Sequence, residues 1–217
     1  MIQLTETYAE KLYQLISVFD GLPKAAIMEY ALDTLRLPKR SAERMISLLL
    51  ARNYLLFDEN LGWLFPYTVV CQKEIKTRNE LRKQGQSPDV KICSASHRWR
   101  ILSALKAYQH LCGEGGIIEK AKYPFDYILT DGQAVYRLID FLEDGQMKLR
   151  FNNEEERQRK VEVIPVILLP ESKRESLHWA FLNDPTLIPH QEKYLVAATA
   201  FDGNKITEFV LKEGKNA

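Results

Sequence analysis

The sequence predicts an α+β protein in two parts, and three observations carry the prediction. Apolar residues recur at helical spacing up to residue 50. A short hairpin pattern follows at 54–65. From Ile117 onward the periodicity turns strand-like. With 217 residues the chain can bury one large or two small cores, and 46% hydrophobic with 27% charged residues is an ordinary folded composition.

The first helix is expected over residues 5–19, with Tyr8, Leu12, Leu15, Ile16 and Phe19 on one stripe and Thr5 as its cap. Asp20–Gly21 stops it. Pro23 opens a second helix with Ala26, Ile27, Tyr30 and Ala31 on one face, and Thr34–Leu37 is short enough to be a turn. Pro38 suits the first turn of a third helix, with Ser41 as a nearby cap. There Ala42, Met45, Ile46, Leu49 and Leu50 form the apolar stripe, while Lys39, Arg40, Arg44, Ser47 and Arg52 fall outside it. Tyr54–Phe57 and Trp63–Phe65 flank the turn cluster Asp58–Gly62 and read as a hairpin. Three helices with short turns and then a hairpin are the order of a winged helix-turn-helix, expected over residues 1–68.

Charge is uneven beneath a net of +1. Residues 1–112 hold sixteen Lys and Arg against eleven Asp and Glu, whereas residues 113–217 hold fourteen against eighteen. The first 60 residues are balanced, seven cations facing eight acids, and Asp58 and Glu59 put negative charge at the hairpin tip. The helix face rather than the wing is therefore expected to attract phosphate. Residues 61–112 hold nine cations against three acids. Within them, 67–83 reads as a helix bearing Lys73, Lys76, Arg78, Arg82 and Lys83, and Gly85–Pro88 reads as a linker. Together 69–95 form a basic connector.

The second part, 96–217, opens on a helix with Trp99, Leu102, Leu105 and Tyr108 in a seam, stopped by Gly113–Gly116. Asp131–Gly132 turns a hairpin between Tyr127–Leu129 and Ala134–Phe141. Val161–Leu169 has the continuous apolar run of a central strand, with Pro165 marking a bulge or an end. Asn152–Lys160 is a charged tract, Glu171–Leu182 an amphipathic helix, and Leu187–Ile188, Tyr194–Phe201 and Ile206–Leu211 further strands. The sum is a small α/β layer domain.

Several function classes find no support. The longest apolar run is far short of the roughly 20 residues of a membrane span. MIQLTETYAEKLYQ is polar and acidic, unlike a signal peptide. Cys71, Cys93 and Cys112 are odd in number and form no CxxC pair, so reduced thiols in a cytoplasm are expected. His97 and His110 share no metal-ligand spacing. There is no GxSxG, Walker or HExxH motif, and no cofactor follows from the residues.

The order of parts resembles the plasmid replication-relaxation family of bacterial plasmids and conjugative elements. The stretches that carry the resemblance are KRSAERMISLLLARNYL, SHRWRILSALKAYQHL, YPFDYILTDGQAVYRLIDF and VIPVILLPESKRESLHWAF. It implies a second domain with a degenerate restriction-endonuclease-like fold. Nuclease chemistry of that kind needs an acid on one strand and acid-x-Lys on the next, to hold Mg²⁺ and polarise water. Asp126 would be the first acid. The second pattern falls on Leu138 and Asp140, or in the other register on Asp140 and Leu142, and neither is complete. Asp126 and Asp140 are left as the metal candidates.

The expected function is non-catalytic binding of double-stranded DNA in replication, transfer or transcriptional control. Arg40, Ser41 and Arg44 would lie nearest the base edges, and Lys39, Arg52, Lys73, Lys76, Arg78, Arg98 and Arg100 would contact phosphates. Two alternatives stay open, a metal-dependent nuclease with an atypical site and an adaptor for a replication or transfer protein. A homodimer is also open, although no self-complementary patch is visible in the sequence.

Overall fold

The computed structural model describes residues 2–59, 61–68, 73, 76, 77, 80, 81, 83–85, 95–121, 126–140, 162–173, 194–202 and 205–214. It is a mixed α+β structure that divides into two compact units, Met1–Ile92 and Cys93–Ala217. No helix among the described residues is long and apolar enough to cross a membrane.

The first unit runs α1 (Ile2–Val18), β1 (Leu22–Pro23), α2 (Lys24–Glu29), a π-helical turn (Tyr30–Thr34), α3 (Lys39–Ala51), β2 (Leu55–Asp58) and β3 (Trp63–Pro66). Helix α1 starts before Thr5, so that residue is not its cap. The cap expected from Ser41 is also absent: Pro38 occupies the N-cap of α3 without a side-chain bond, and the Ser41 amide donates to the Pro38 carbonyl at 2.8 Å. Proline at that position costs nothing, because its missing N–H would have had no helical partner.

Asp20 (φ 55°), Arg36 (φ 54°) and Asn53 (φ 56°) are left-handed, each two residues past the end of α1, the π-helical turn and α3 respectively, and stop those helices. Thr34, expected to open the turn Thr34–Leu37, closes the π-helical turn instead, with the Leu35 amide on the Tyr30 carbonyl at 3.1 Å.

The strand β1 went unpredicted because two residues carry no periodicity. It pairs antiparallel with β3, which pairs antiparallel with β2, giving a three-stranded sheet ordered β1-β3-β2. Gly21 makes this closure possible. Its φ of +135° suits glycine, and a Cβ there would stand 2.5 Å from the Phe65 ring. Leu12, Ile16 and Phe19 of α1, Leu22, Ile27, Ile46 and Leu49, with Leu55, Leu64 and Phe65, form the core. Each such side chain contributes roughly 1.5–3 kcal/mol when removed from water.

The second unit opens on α4 (Ala95–Leu111), followed by a 3₁₀ turn (Gly113–Gly115), β4 (Ile117–Lys120), β5 (Tyr127–Thr130), β6 (Ala134–Asp140), β7 (Glu162–Pro170), a second 3₁₀ turn (Glu171–Lys173), β8 (Tyr194–Phe201) and β9 (Ile206–Gly214). The strands form one sheet in sequence order. β4, β5 and β6 form an antiparallel meander, β6, β7 and β8 are parallel, and β9 returns antiparallel to β8. Parallel strands buried on both faces explain the apolar run of β7, where Ile164 and Val166–Leu169 are all buried.

Pro165 neither ends nor bulges β7. Its register with Arg137 is regular, and it lies one residue before pairing with β8 begins at Val166, where a missing N–H does least harm. The helix α4 packs on the β7–β9 half of the sheet and is buried at Trp99, Ile101–Leu105, Ala107 and Tyr108, a wider face than the four-residue seam expected. A buried polar cluster joins the two layers. Trp99 Nε1–H donates to Thr199 Oγ1 at 2.7 Å, and Ser103 Oγ lies 3.1 Å from the same oxygen.

Residues 142–160 and 174–193 lie outside the described residues, and with them the charged tract 152–160, most of the helix expected over 171–182, and the strand expected at 187–188.

Candidate functional site

The exposed surface of α3 follows from its burial pattern. Ala42, Met45, Ile46 and Leu49 face the core. At 100° per residue the opposite side is then Arg40, Arg44, Ser47 and Ala51, an i, i+4, i+7, i+11 ridge, and all four are exposed. Lys39 and Glu43, both exposed, flank it, and Ser41 is half-buried at its edge. Two guanidinium forks thus occupy the first turns of the helix and two small side chains the last. The Ser47 hydroxyl donates to the Glu43 carbonyl at 2.8 Å, which holds it against the helix and keeps that end of the ridge low. Arg52 is exposed at the C-cap. Such a ridge can bring paired N–H donors to a row of acceptor atoms while its low end allows close approach.

The hairpin beside it is not as acidic as its sequence suggests. Asp58 is only 1% exposed. Its carboxylate Oδ1 accepts the Leu61 amide at 3.3 Å and its carbonyl accepts the Gly62 amide at 2.8 Å, so it builds the turn instead of facing solvent. Only Glu59 of the pair is exposed at the tip. Lys24, absent from the candidate residues, sits against the same hairpin. Its amide donates to the Gly62 carbonyl at 2.8 Å, and its ammonium lies 5.3 Å from the centre of the Phe57 ring. Wing repulsion expected from two acids is thereby reduced to one acid with a cation beside the hairpin. Sequence offered no signal for either change, since both depend on the turn's hydrogen bonds.

The other candidate cations lie on other elements of the chain. Lys73 and Lys76 are helical and exposed in the first unit, and Arg78 lies outside the described residues. Arg98 and Arg100 are in α4 of the second unit, half-buried, with their Nε atoms enclosed, so they offer a ligand less than the arginines of α3 do.

Comparison with protein-family models, curated proteins and solved structures finds no match for this chain.

The metal candidates are in the second unit. The Asp126 amide, just before β5, donates to the Leu138 carbonyl at 2.9 Å, next to the Tyr127–Leu138 pair. The acid position of one nuclease register is thus adjacent to Asp126, but it is filled by Leu138, fully buried and unable to ligate a cation. Asp140 ends β6, and no group of three His, Cys, Asp or Glu among the described residues could hold a metal ion.

Two other titratable groups near the end of α4 have structural roles. Burial, and secondarily the charge of Asp131, push the Cys112 thiol up to about 12, so it is protonated and a poor nucleophile at neutral pH. Asp131 is held below the usual carboxylate value by the amides of Ala134 and Gln133, each 2.8 Å from Oδ1, and by the Tyr136 hydroxyl at 3.2 Å.

Proposed function

We propose that this chain binds double-stranded DNA, without catalysing its cleavage, through the exposed ridge of α3. The observation that carries the reading is the ridge itself, with Arg40 and Arg44 in the first turns and Ser47 and Ala51 behind them. Recognition helices contact base edges mainly through their N-terminal residues, and arginine forks fit the paired acceptors of guanine. The order helix, short strand, two helices and hairpin, closed by a β1-β3-β2 sheet, supports reading the first unit as a winged helix-turn-helix. Lys39 at the start of α3 and Arg52 at its C-cap, with Lys73, Lys76 and Arg78 beyond the hairpin, would neutralise phosphates and fix the register.

The resemblance stated from sequence extends this proposal to a protein of a bacterial plasmid or conjugative element, acting in replication, transfer or transcriptional control. A mixed sheet preceded by a packed helix is compatible with the expected nuclease-like second domain, and Leu138 at an acid position supports a binding role over hydrolysis.

Capture of fragmented host DNA on the immobilised full chain tests the reading. A discrete set of enriched fragments is expected, lost with the Arg40→Glu, Arg44→Glu double variant. Unenriched recovery, or recovery unchanged in the variant, would contradict it.

A further inference from the structure

The six-stranded sheet has two outer strands, β4 and β9, and they differ as edges. β4 is four residues long. β9 runs nine residues and, among the described residues, pairs with β8 alone. The ladder is irregular where Thr207 is passed over between the Glu208 and Ile206 pairings, and is in register from Glu208 to Gly214. An edge of this length presents unpaired backbone groups that a second strand can satisfy.

The side chains of β9 select what that strand is. Phe209 meets His110 of α4, ring centres 5.7 Å apart, so Phe209 and Leu211 lie on the helix-covered side. Glu208, Val210 and Lys212 alternate onto the opposite side, with both charged groups exposed. Four residues along a strand separate Glu208 from Lys212 by about 13 Å, too far for them to pair within one chain. An antiparallel copy of β9 centred on Val210 removes that separation. Glu208 then stands opposite Lys212 of the second copy, Lys212 opposite Glu208, Phe209 opposite Leu211, and Val210 opposite itself. Both charges of that side are thus matched, in two pairs, and every apolar residue of the centre meets an apolar partner, while Glu213 of the other side falls opposite Thr207 at the irregular end of the strand.

The same operation on β4 fails. Centred between Ile118 and Glu119 it sets Ile118 against Glu119 and Ile117 against Lys120; centred on Glu119 it sets Ile118 against Lys120. Lone charges on an edge ordinarily block pairing, but opposite charges at positions symmetric about one residue attract when the partner is a second copy.

We infer that β9 is a dimerisation edge, by which two copies of this chain pair antiparallel about a two-fold axis at Val210 and join their sheets. The inference is independent of DNA binding, and its test contains no nucleic acid. Sedimentation equilibrium of the full chain, alone and as Glu208→Lys, Lys212→Glu and the double swap, measures the dimer dissociation constant, while thermal melts followed by circular dichroism report folding.

A dimer is expected for the unaltered chain. Each single reversal creates two like-charge pairs and raises the dissociation constant by about tenfold or more, and the double swap restores it. A monomer at roughly 100 μM, single reversals that leave the constant unchanged, or a double swap no tighter than the singles would each overturn the inference. Both side chains are exposed, so the variants fold as the parent does, and the double swap keeps composition and net charge the same.

Discussion

Asp58 and Asp131 do similar work at two hairpins, and neither role is visible in the residue type. Each carboxylate accepts backbone amides of its own turn, Asp58 from Leu61 and Asp131 from Gln133 and Ala134. For Asp131 this has a pH consequence. Its folded-state value is depressed, so its contribution is present above the unfolded value near 4 and is lost as pH falls through the folded value. Asp131→Ala is expected to cost about 1 kcal/mol at pH 7 in urea unfolding. The difference from the parent should shrink below about pH 4, where the unfolded-state carboxyl protonates.

At the other hairpin the two acids separate by experiment. Glu59→Lys should tighten duplex binding a few-fold at low salt by exchanging a repulsive charge for an attractive one. Asp58→Asn, which keeps an acceptor for Leu61, should leave binding close to the parent. Equal tightening by both would mean that Asp58 does face the ligand. The sequence could name both residues as acids at a tip. Which one turned inward depended on hydrogen bonds that have no pattern of their own.

Elements were legible where periodicity or turn chemistry was strong. Asp131–Gly132 between β-favouring runs located β5 and β6 to within a residue, and the spans of β7 and β8 followed from their apolar runs. β1 escaped because it is two residues long, and its existence depends on a partner forty residues away. The end of β9 was placed three residues early, since Lys212 and Glu213 look like a loop until their pairing with β8 is known. In α4 the helical seam was readable, but not that Ser103 and Trp99 would converge on Thr199, almost a hundred residues later. That cluster fixes how the helix lies on its sheet. Thr199→Val keeps the volume yet leaves the Trp99 N–H without its acceptor. A loss of roughly 1–3 kcal/mol is expected in thermal or urea unfolding. Ser103→Ala, which leaves the Trp99 bond intact, should cost less. A Thr199→Val variant as stable as the parent would show that the cluster does not hold the layers together.

For the whole molecule, the sequence predicts three stretches, 1–68, 69–95 and 96–217, and the chain divides into two compact units, Met1–Ile92 and Cys93–Ala217. The candidate site was half legible. Amphipathic spacing alone puts Arg40 and Arg44 opposite the core, whereas Ala51 gives no signal, because an exposed alanine leaves no trace in a charge pattern. Lys24 was missed because its place beside the hairpin depends on β1. If β9 joins two copies, each dimer carries two α3 ridges, and the preferred DNA target would be an inverted repeat.

The salt dependence of binding is the sharpest test of the proposed contact between the cationic ridge of α3 and duplex DNA. Fluorescence anisotropy of a labelled duplex, titrated with the full chain across about 50–200 mM salt, gives the slope of log K against log salt. A steep negative slope is expected. Arg40→Glu with Arg44→Glu should weaken binding and reduce the steepness by about two, one for each lost cation. Binding whose affinity and slope are the same in parent and double variant would contradict it.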